Sequence, residues 1–199
     1  MIAMAGKDLP TSPLALPLPQ MPPVPGVRLG SGRAEIRYKA REDVTMMTFP
    51  AGTTVAGVFT KNRCPGAPVD WCRAALRGGK ARALVVTAGN SNVFTGRAGR
   101  ETCAATAKAM AELAGCKPNE VFLSSTGVIG ERLPTEKLVA ALPPLFGQLV
   151  EDGWAAAARA ITTTDTFPKG ATRTARIGDA AVTVNGIAKG SGMIAPDMA

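Results

Sequence analysis

Residues 81 to 125 constrain the architecture more than any other part of the chain. "ARALVVTAG" (81–89) is a continuous apolar run of strand length that ends in a turn, and "EVFLSS" (120–125) is a second. Between them lies "GRETCAATAKAMAELAG", whose apolar stripe Cys103, Ala107, Met110, Ala114 recurs at helical spacing and stops at Gly115. Strands that are apolar throughout need cover on both faces, and helices are the available cover. The flanking segments extend the pattern. "AEIRYK" (34–39), "VTMMTF" (44–49) and "TTVAGVFT" (53–60) have the β-branched content and partial alternation of strands. "PVDWCRAAL" (68–76), "TEKLVAAL" (135–142) and "DGWAAAARAI" (152–161) read as helices, the first with Pro and an acid in its opening turn. "ATRTARIGDAAVTVNGIAKG" reads as two strands folded about Gly178-Asp179. The expected fold is α/β: a layered sandwich of mixed sheet with helices outside.

Residues 1–26 break this pattern, holding seven of the sixteen prolines. They are expected to form a Pro-rich arm with polyproline character, outside a folded portion spanning 27–199. Pro10, Pro13, Pro17 and Pro19 interrupt the apolar stretches before a secretory h-region can form, and no run reaches the length of a membrane span. A cytoplasmic protein with no membrane partner is expected. Four cysteines without C-x-x-C spacing, and no histidine, argue against a zinc site. No metal is expected, and the thiols read as free and mostly buried. The net charge of +8 is carried by short, separated groups such as "YKAR", "TKNR" and "RGGKAR", with no interleaved aromatics. That is not the clustered footprint of a nucleic-acid surface, and it suits the attraction of carboxylate substrates equally well.

The missing histidine removes the commonest general base, and with it any Ser-His-Asp or Cys-His site within the chain. Paired carboxylates remain possible, though the fifteen acids show no pair that stands out. The alternative is a nucleophile activated by its own terminal amine, as an N-terminal Thr can be, and this chain begins with Met. Four stretches could nonetheless line a site. "SSTGVIG" places Ser124, Ser125, Thr126 and Gly127 at a strand exit, where backbone N–H groups can face an anion. "TAGNSNVFTG" offers Asn90 and Asn92, "ITTTDTFPKG" offers Thr163, Thr164 and Asp165, and "NGIAKGSGMIAPDMA" contains Lys189. Taken singly, each is an ordinary turn, cap or solvated charge.

Together, "KNRCPGAPVDWC", "AGNSNVFTG", "SSTGVIG", "TTDTFPK" and "NGIAKGSGMIAPDMA" resemble the glutamate N-acetyltransferase (ornithine acetyltransferase) family of arginine biosynthesis, in order and spacing, over about residues 27 to 199. The resemblance implies an αββα fold completed by a separate β chain. It also implies self-cleavage of a precursor between Ala and Thr in a stretch like "IAPxMA". The chain then reads as the α chain, with Ala199 at the scissile bond and the nucleophilic Thr on the β chain. By the same resemblance acetyl passes from N-acetylornithine to that Thr and then to glutamate, releasing ornithine and N-acetylglutamate. Thr126 and Gly127 match the oxyanion-hole pair, one through its hydroxyl and one through its backbone N–H. Thr163 and Lys189 match substrate-binding positions, and Asn90 and Asn92 are candidates for shaping the site. No cofactor is implied, acetyl-CoA as a second acetyl donor is left open, and an α2β2 heterotetramer is the family expectation. The rival within the fold is an autoprocessed aminopeptidase that hands its acyl group to water.

Overall fold

The structure is a computed structural model, and it describes residues 10–192 and Met198. Its main sheet has four strands in the order β1-β2-β3-β4, formed by β1 (Arg28–Gly32), β2 (Val44–Thr48), β3 (Ala83–Asn90) and β4 (Val121–Val128). The first three run antiparallel in sequence order, and β4 pairs parallel with β3. The mixed sheet read from the sequence is thus present. The parallel step is made by α2 (Gly96–Ala114), the only element long enough in that segment to carry the chain back across the sheet.

Period-two alternation sorts the strand residues onto two faces. Val44, Met46, Ala83, Val85, Val121 and Leu123 point to one side, where they pack against Cys103, Ala107, Met110 and Ala111 of α2 and Leu138, Leu142 and Leu145 of α3 (Thr135–Phe146). Met47 and Leu84 point to the other side, toward Trp154 and Ala157 of α4 (Trp154–Ala160). The small residues of α2 and α4 let the backbones approach closely, as the Ala-rich composition requires.

Both outer edges of the sheet are closed. Along β4, α1 (Ala67–Leu76) satisfies the free backbone groups with side chains: Trp71 Nε1 donates to the Val121 carbonyl (2.9 Å), and the Cys72 thiol lies 3.1 Å from the Leu123 carbonyl and 3.3 Å from its N–H. Along β1, Leu29 and Val150 exchange backbone hydrogen bonds (2.7 and 3.1 Å). An edge so covered offers no template to another strand. A second sheet is the hairpin β5 (Lys169–Ile177) and β6 (Ala180–Ala188), turning at Gly178-Asp179 as read from the sequence. Its outer positions, including Ile177 and Val184, are exposed.

Three expectations differ from the structure. Residues 34–39 are not a strand: the buried Asp43 carboxylate accepts the N–H groups of Ala34 and Ile36, both at 2.7 Å, and Glu35 takes φ +51° between them. That side chain competes with a ladder for the same donors. The strand lies earlier, at "RLGSG", where Gly30 and Gly32 leave room for Leu149 and Leu145; a Cβ on either glycine would come within 3.3 Å of those side chains. Residues 53–60 make only the isolated bridges Thr54–Lys80 and Thr60–Met198 instead of a strand. Helix α3 also runs past its expected end at 142, through Pro143 and Pro144, with Leu142 and Leu145 buried on either side of the pair. Packing of those leucines outweighs the two lost backbone bonds.

The described part of the Pro-rich segment has no helix or strand, yet it packs: Met21 is buried beside Leu29, Met47 and Trp154, and the Pro22 carbonyl accepts a hydrogen bond from Asn185 (2.7 Å). All four cysteines are free, but only Cys72 and Cys103 are buried; Cys64 is exposed and Cys116 half-buried. Burial first, then the neighbouring Cys72 thiol, pushes Cys103 up to about 12 against a lowering hydrogen bond from Asn92, so it is an inert thiol. Among the described residues no helix is long and apolar enough to cross a membrane.

Met46 is fully buried in a central strand and faces α2 and α3. Met46→Ala is expected to destabilise the fold by about 2–5 kcal/mol through the cavity it leaves. Urea unfolding with an unchanged slope and a lowered midpoint checks this; an unchanged midpoint would contradict the core described here.

Candidate functional site

Strand β4 ends in the sequence Ser124-Ser125-Thr126-Gly127-Val128, and its ladder with β3 breaks its register there. Asn90 stands opposite both Thr126 and Val128. The break has a steric cause. Gly127 has φ +133° and lies against the backbone of Gly89, itself at φ +106°; a Cβ on Gly127 would come within 2.6 Å of the Gly89 carbonyl oxygen and the Asn90 nitrogen. Only glycine allows two backbones so close. At this strand end Thr126 is half-buried and the Gly127 backbone is exposed.

Thr126 does not stand alone. The Lys189 ammonium, just past β6, donates to Thr126 Oγ1 and to Thr163 Oγ1, both at 2.9 Å. Three residues separated by up to 63 positions are thereby within one hydrogen-bonded group. The hairpin explains the closure: Lys169 at the start of β5 pairs with Ala188 at the end of β6, so the segment entering the hairpin and the segment leaving it must meet at its base.

Asp165 organises that meeting. Its side chain is fully enclosed, yet it carries a charge. One oxygen accepts from Lys169 Nζ (2.8 Å) and the Gly190 N–H (2.6 Å), the other from the Thr163 N–H (3.2 Å), and Lys189 Nζ stands 3.8 Å away. Burial pushes its pKa up, but the Lys169 hydrogen bond and charge, with the Gly190 and Thr163 N–H groups, outweigh it and hold the carboxyl below its ordinary 3.8. Lys169 in turn lies over the Phe167 ring at 4.2 Å. Beside this cluster, sharing Asp165, is an open cleft of about 380 Å³ lined by Arg41, Arg159, Thr162, Thr166 and Phe167. Arg41 braces its rim, donating to the Thr162 carbonyl (2.7 Å) and stacking over Tyr38.

The structure therefore brings together Thr126, Thr163 and Lys189, with Gly127 adjoining. Asn90 and Asn92 lie behind this group: both are buried at the β3–α2 turn, and Asn90 stands opposite Thr126 in the ladder. Asn90 donates to the Glu131 carbonyl (3.1 Å) and accepts the Asn92 N–H (2.8 Å). Asn92, at φ +50°, donates to the Gly99 carbonyl (3.1 Å) and accepts from Thr95 (2.7 Å). Their polar groups are occupied in holding the backbone that backs Thr126, and they present none to a ligand. Ser124 and Thr164 are exposed and outside the cluster. Ala199 lies outside the described residues. Sequence reasoning offers Asp165 only as one of three polar residues in a turn before Pro and misses its organising role; the signal, Lys169 four positions on in a segment with no helical pattern, is visible only once the hairpin base is known.

A family model described as the ArgJ family matches residues 28–199. The chain belongs to the ArgJ family. It is 58% identical over 193 residues to an arginine biosynthesis bifunctional protein ArgJ of Gluconobacter oxydans, and 53% identical over 196 residues to one of Rhizobium meliloti. These matches cover 97% and 98% of this chain but 46% and 47% of those proteins, so it spans about half the length of the curated ArgJ relatives it matches. Among solved structures, the fold is similar to a crystal structure of ArgJ from Bacillus halodurans, with TM-score 0.81, 30% identity, and coverage of 88% of this chain and 92% of that one. A structure of ornithine acetyltransferase with ornithine from Mycobacterium tuberculosis gives TM-score 0.78, 35% identity, and coverage of 89% and 94%. The α/β layered architecture is thus that of ArgJ structures.

The lowered pKa of Asp165 has a signed consequence. A carboxyl held lower in the folded than in the unfolded state adds stability above its unfolded value, and that stability is lost as pH falls through the folded one. Asp165→Asn is expected to destabilise the chain near neutral pH, with the difference from wild type shrinking below the ordinary 3.8. Denaturation midpoints measured as a function of pH check this; a difference that stays constant into acid would show that the carboxylate charge is not the stabilising element.

Proposed function

We propose that this chain is the α-side half of a glutamate N-acetyltransferase that moves acetyl from N-acetylornithine to glutamate in arginine biosynthesis. The observation that carries the reading is Lys189 joined by hydrogen bonds to both Thr126 and Thr163, since these are residues at which the family motifs coincide. The nucleophile belongs to a companion β chain in this reading. The solved ArgJ chain from Bacillus halodurans is 92% covered although the curated proteins are twice as long, which supports a two-chain protein.

The chemistry follows from the groups at hand. A Thr at the start of the companion chain has an α-amine with an unperturbed pKa of about 7.7–8.0, so near neutrality a fraction is neutral and takes the hydroxyl proton. The alkoxide attacks the acetyl carbonyl of N-acetylornithine. The carbonyl oxygen gains negative charge, which the Thr126 hydroxyl and the Gly127 N–H meet as donors. As the C–N bond breaks, the α-ammonium of Thr returns the proton to the leaving nitrogen, so that ornithine departs as the amine and acetyl-Thr remains. The same steps in reverse order, with the α-amine now taking a proton from the attacking amine of glutamate, pass acetyl to glutamate and restore the Thr hydroxyl. Thr163 and the remaining N–H of Lys189 lie where a substrate carboxylate is received. The scissile position of the precursor is Ala199, with the assembly an α2β2 heterotetramer in the cytoplasm. No cofactor is required, and acetyl-CoA is a second donor to be assayed alongside N-acetylornithine.

The two-chain protein is expected to transfer acetyl to glutamate, and this chain alone to transfer none. Thr126→Ala should lower kcat by about 10²–10³-fold if its hydroxyl stabilises the oxyanion. Steady-state assays with N-acetylornithine as donor check both. Transfer to water in preference to glutamate would favour the aminopeptidase chemistry of the same fold and overturn the proposal.

A further inference from the structure

We propose that Asp165 is a positioning residue for acyl transfer, acting through Lys189 to fix the direction in which the Thr126 hydroxyl donates; this rests on the reading of Thr126 as an oxyanion donor. A lysine ammonium has three donors and no acceptor, so both hydroxyls it meets at 2.9 Å must be accepting. The proton of Thr126 is thereby turned away from Lys189. A rotor that would otherwise sample several acceptors is left with its donor direction outward from the cluster, beside the exposed Gly127 backbone. Accepting from a cation also polarises the O–H bond and strengthens it as a donor.

A long, flexible side chain does this only if its own position is held. Asp165 supplies the hold at both ends of the contact. It accepts the N–H of Gly190, the residue after Lys189, at 2.6 Å, and the N–H of Thr163, the second hydroxyl that Lys189 grips, at 3.2 Å. It also faces the ammonium at 3.8 Å. Lys169 at 2.8 Å on the opposite side balances the enclosed charge, so the carboxylate is not drawn wholly onto Lys189 and the ammonium remains on the two hydroxyls. Two of the three Lys189 donors are thus occupied by protein, which makes orientation of the hydroxyls a principal task of this lysine.

The test is a mutant cycle in the two-chain enzyme, the chains co-expressed separately so that no self-cleavage is needed. Lys189→Met is expected to lower kcat by about 10-fold or more, in addition to any rise in KM from the third N–H, which is left for a substrate carboxylate. In a Thr126→Val background the same substitution should change kcat by less than about twofold, because the group it acts through is gone. Asp165→Asn should also lower kcat, and its effect should vanish in the Lys189→Met background. Should Asp165→Asn not fold, as thermal melts would show, Asp165→Glu, which keeps the charge but displaces the carboxylate, takes its place in the cycle with the same expectation, and an unchanged kcat in that variant would overturn the role of Asp165. A raised KM with kcat retained, or kcat losses that multiply in the Thr126→Val background, would mean that Lys189 works on substrate alone and not through Thr126, and would overturn the proposal. An enzyme whose kcat is indifferent to Thr126→Val would instead overturn the oxyanion reading itself, a result distinct from either.

Discussion

The parallel pairing of β3 with β4 determines where everything else in the site can stand. Its last step is a backbone-to-backbone contact between Gly89 and Gly127, too close for any side chain on Gly127. The contact ends the regular ladder one residue after Thr126, whose hydroxyl meets Lys189. The buried amides Asn90 and Asn92 then fix the backbone behind it through Glu131, Gly99 and Thr95. A glycine at 127 is therefore required by packing, whatever its N–H goes on to bind. The rigidity of a four-stranded sheet with both edges closed is transmitted to the Thr126 hydroxyl through this one close approach.

The hairpin β5–β6 contributes the other half of the cluster by a different physical route. Its flanks are brought together by antiparallel register alone, regardless of what its exposed outer strands contain. What the flanks then need is a reason to stay in one arrangement, and an enclosed carboxylate gives it. Removing a charge from water is costly unless donors replace the solvent, and Asp165 has an ammonium and two backbone N–H groups doing so. Those donors come from three places along the chain, so the requirement to satisfy one side chain orders two loops and a strand start at once.

Much of the fold was legible because the core strands and the long helix obey simple periodicity. Cys103, Ala107 and Met110 are buried as their spacing predicts, and Gly115 ends the helix in the left-handed conformation. The hairpin turn at Gly178-Asp179 is likewise where the local chemistry puts it. The failures share a cause: tertiary partners outvoted local preference. "RLGSG" lacks strand character, but its glycines are what Leu145 and Leu149 require. "AEIRYK" has strand character, but the Asp43 carboxylate takes its donors. Of the site, Thr126, Thr163 and Lys189 were found through motifs whose reason is three-dimensional. Asp165 was legible only as a polar residue of a turn, because it shows nothing else locally, and its function as a hub exists only after the hairpin closes.

The assembled groups also define what kind of chemistry they can serve. On the proposed reading Thr126 and Gly127 are donors toward the place where negative charge develops, while Lys189 donates to the hydroxyls of Thr126 and Thr163. The carboxylate in their midst is enclosed and saturated with N–H donors, so it is not free to take a proton from a nucleophile. The sequence holds no histidine to do so in its stead. A site of this kind suits the proposed stabilisation of an oxyanion, with proton abstraction left to a group outside it. On the proposed reading that division is sensible: a terminal amine is a base of suitable pKa that needs no side chain, and a nucleophile that brings its own base asks of the opposite chain only well-oriented donors. Orientation is then what limits the rate, and it is what the Asp165, Lys189 and Thr126 arrangement provides.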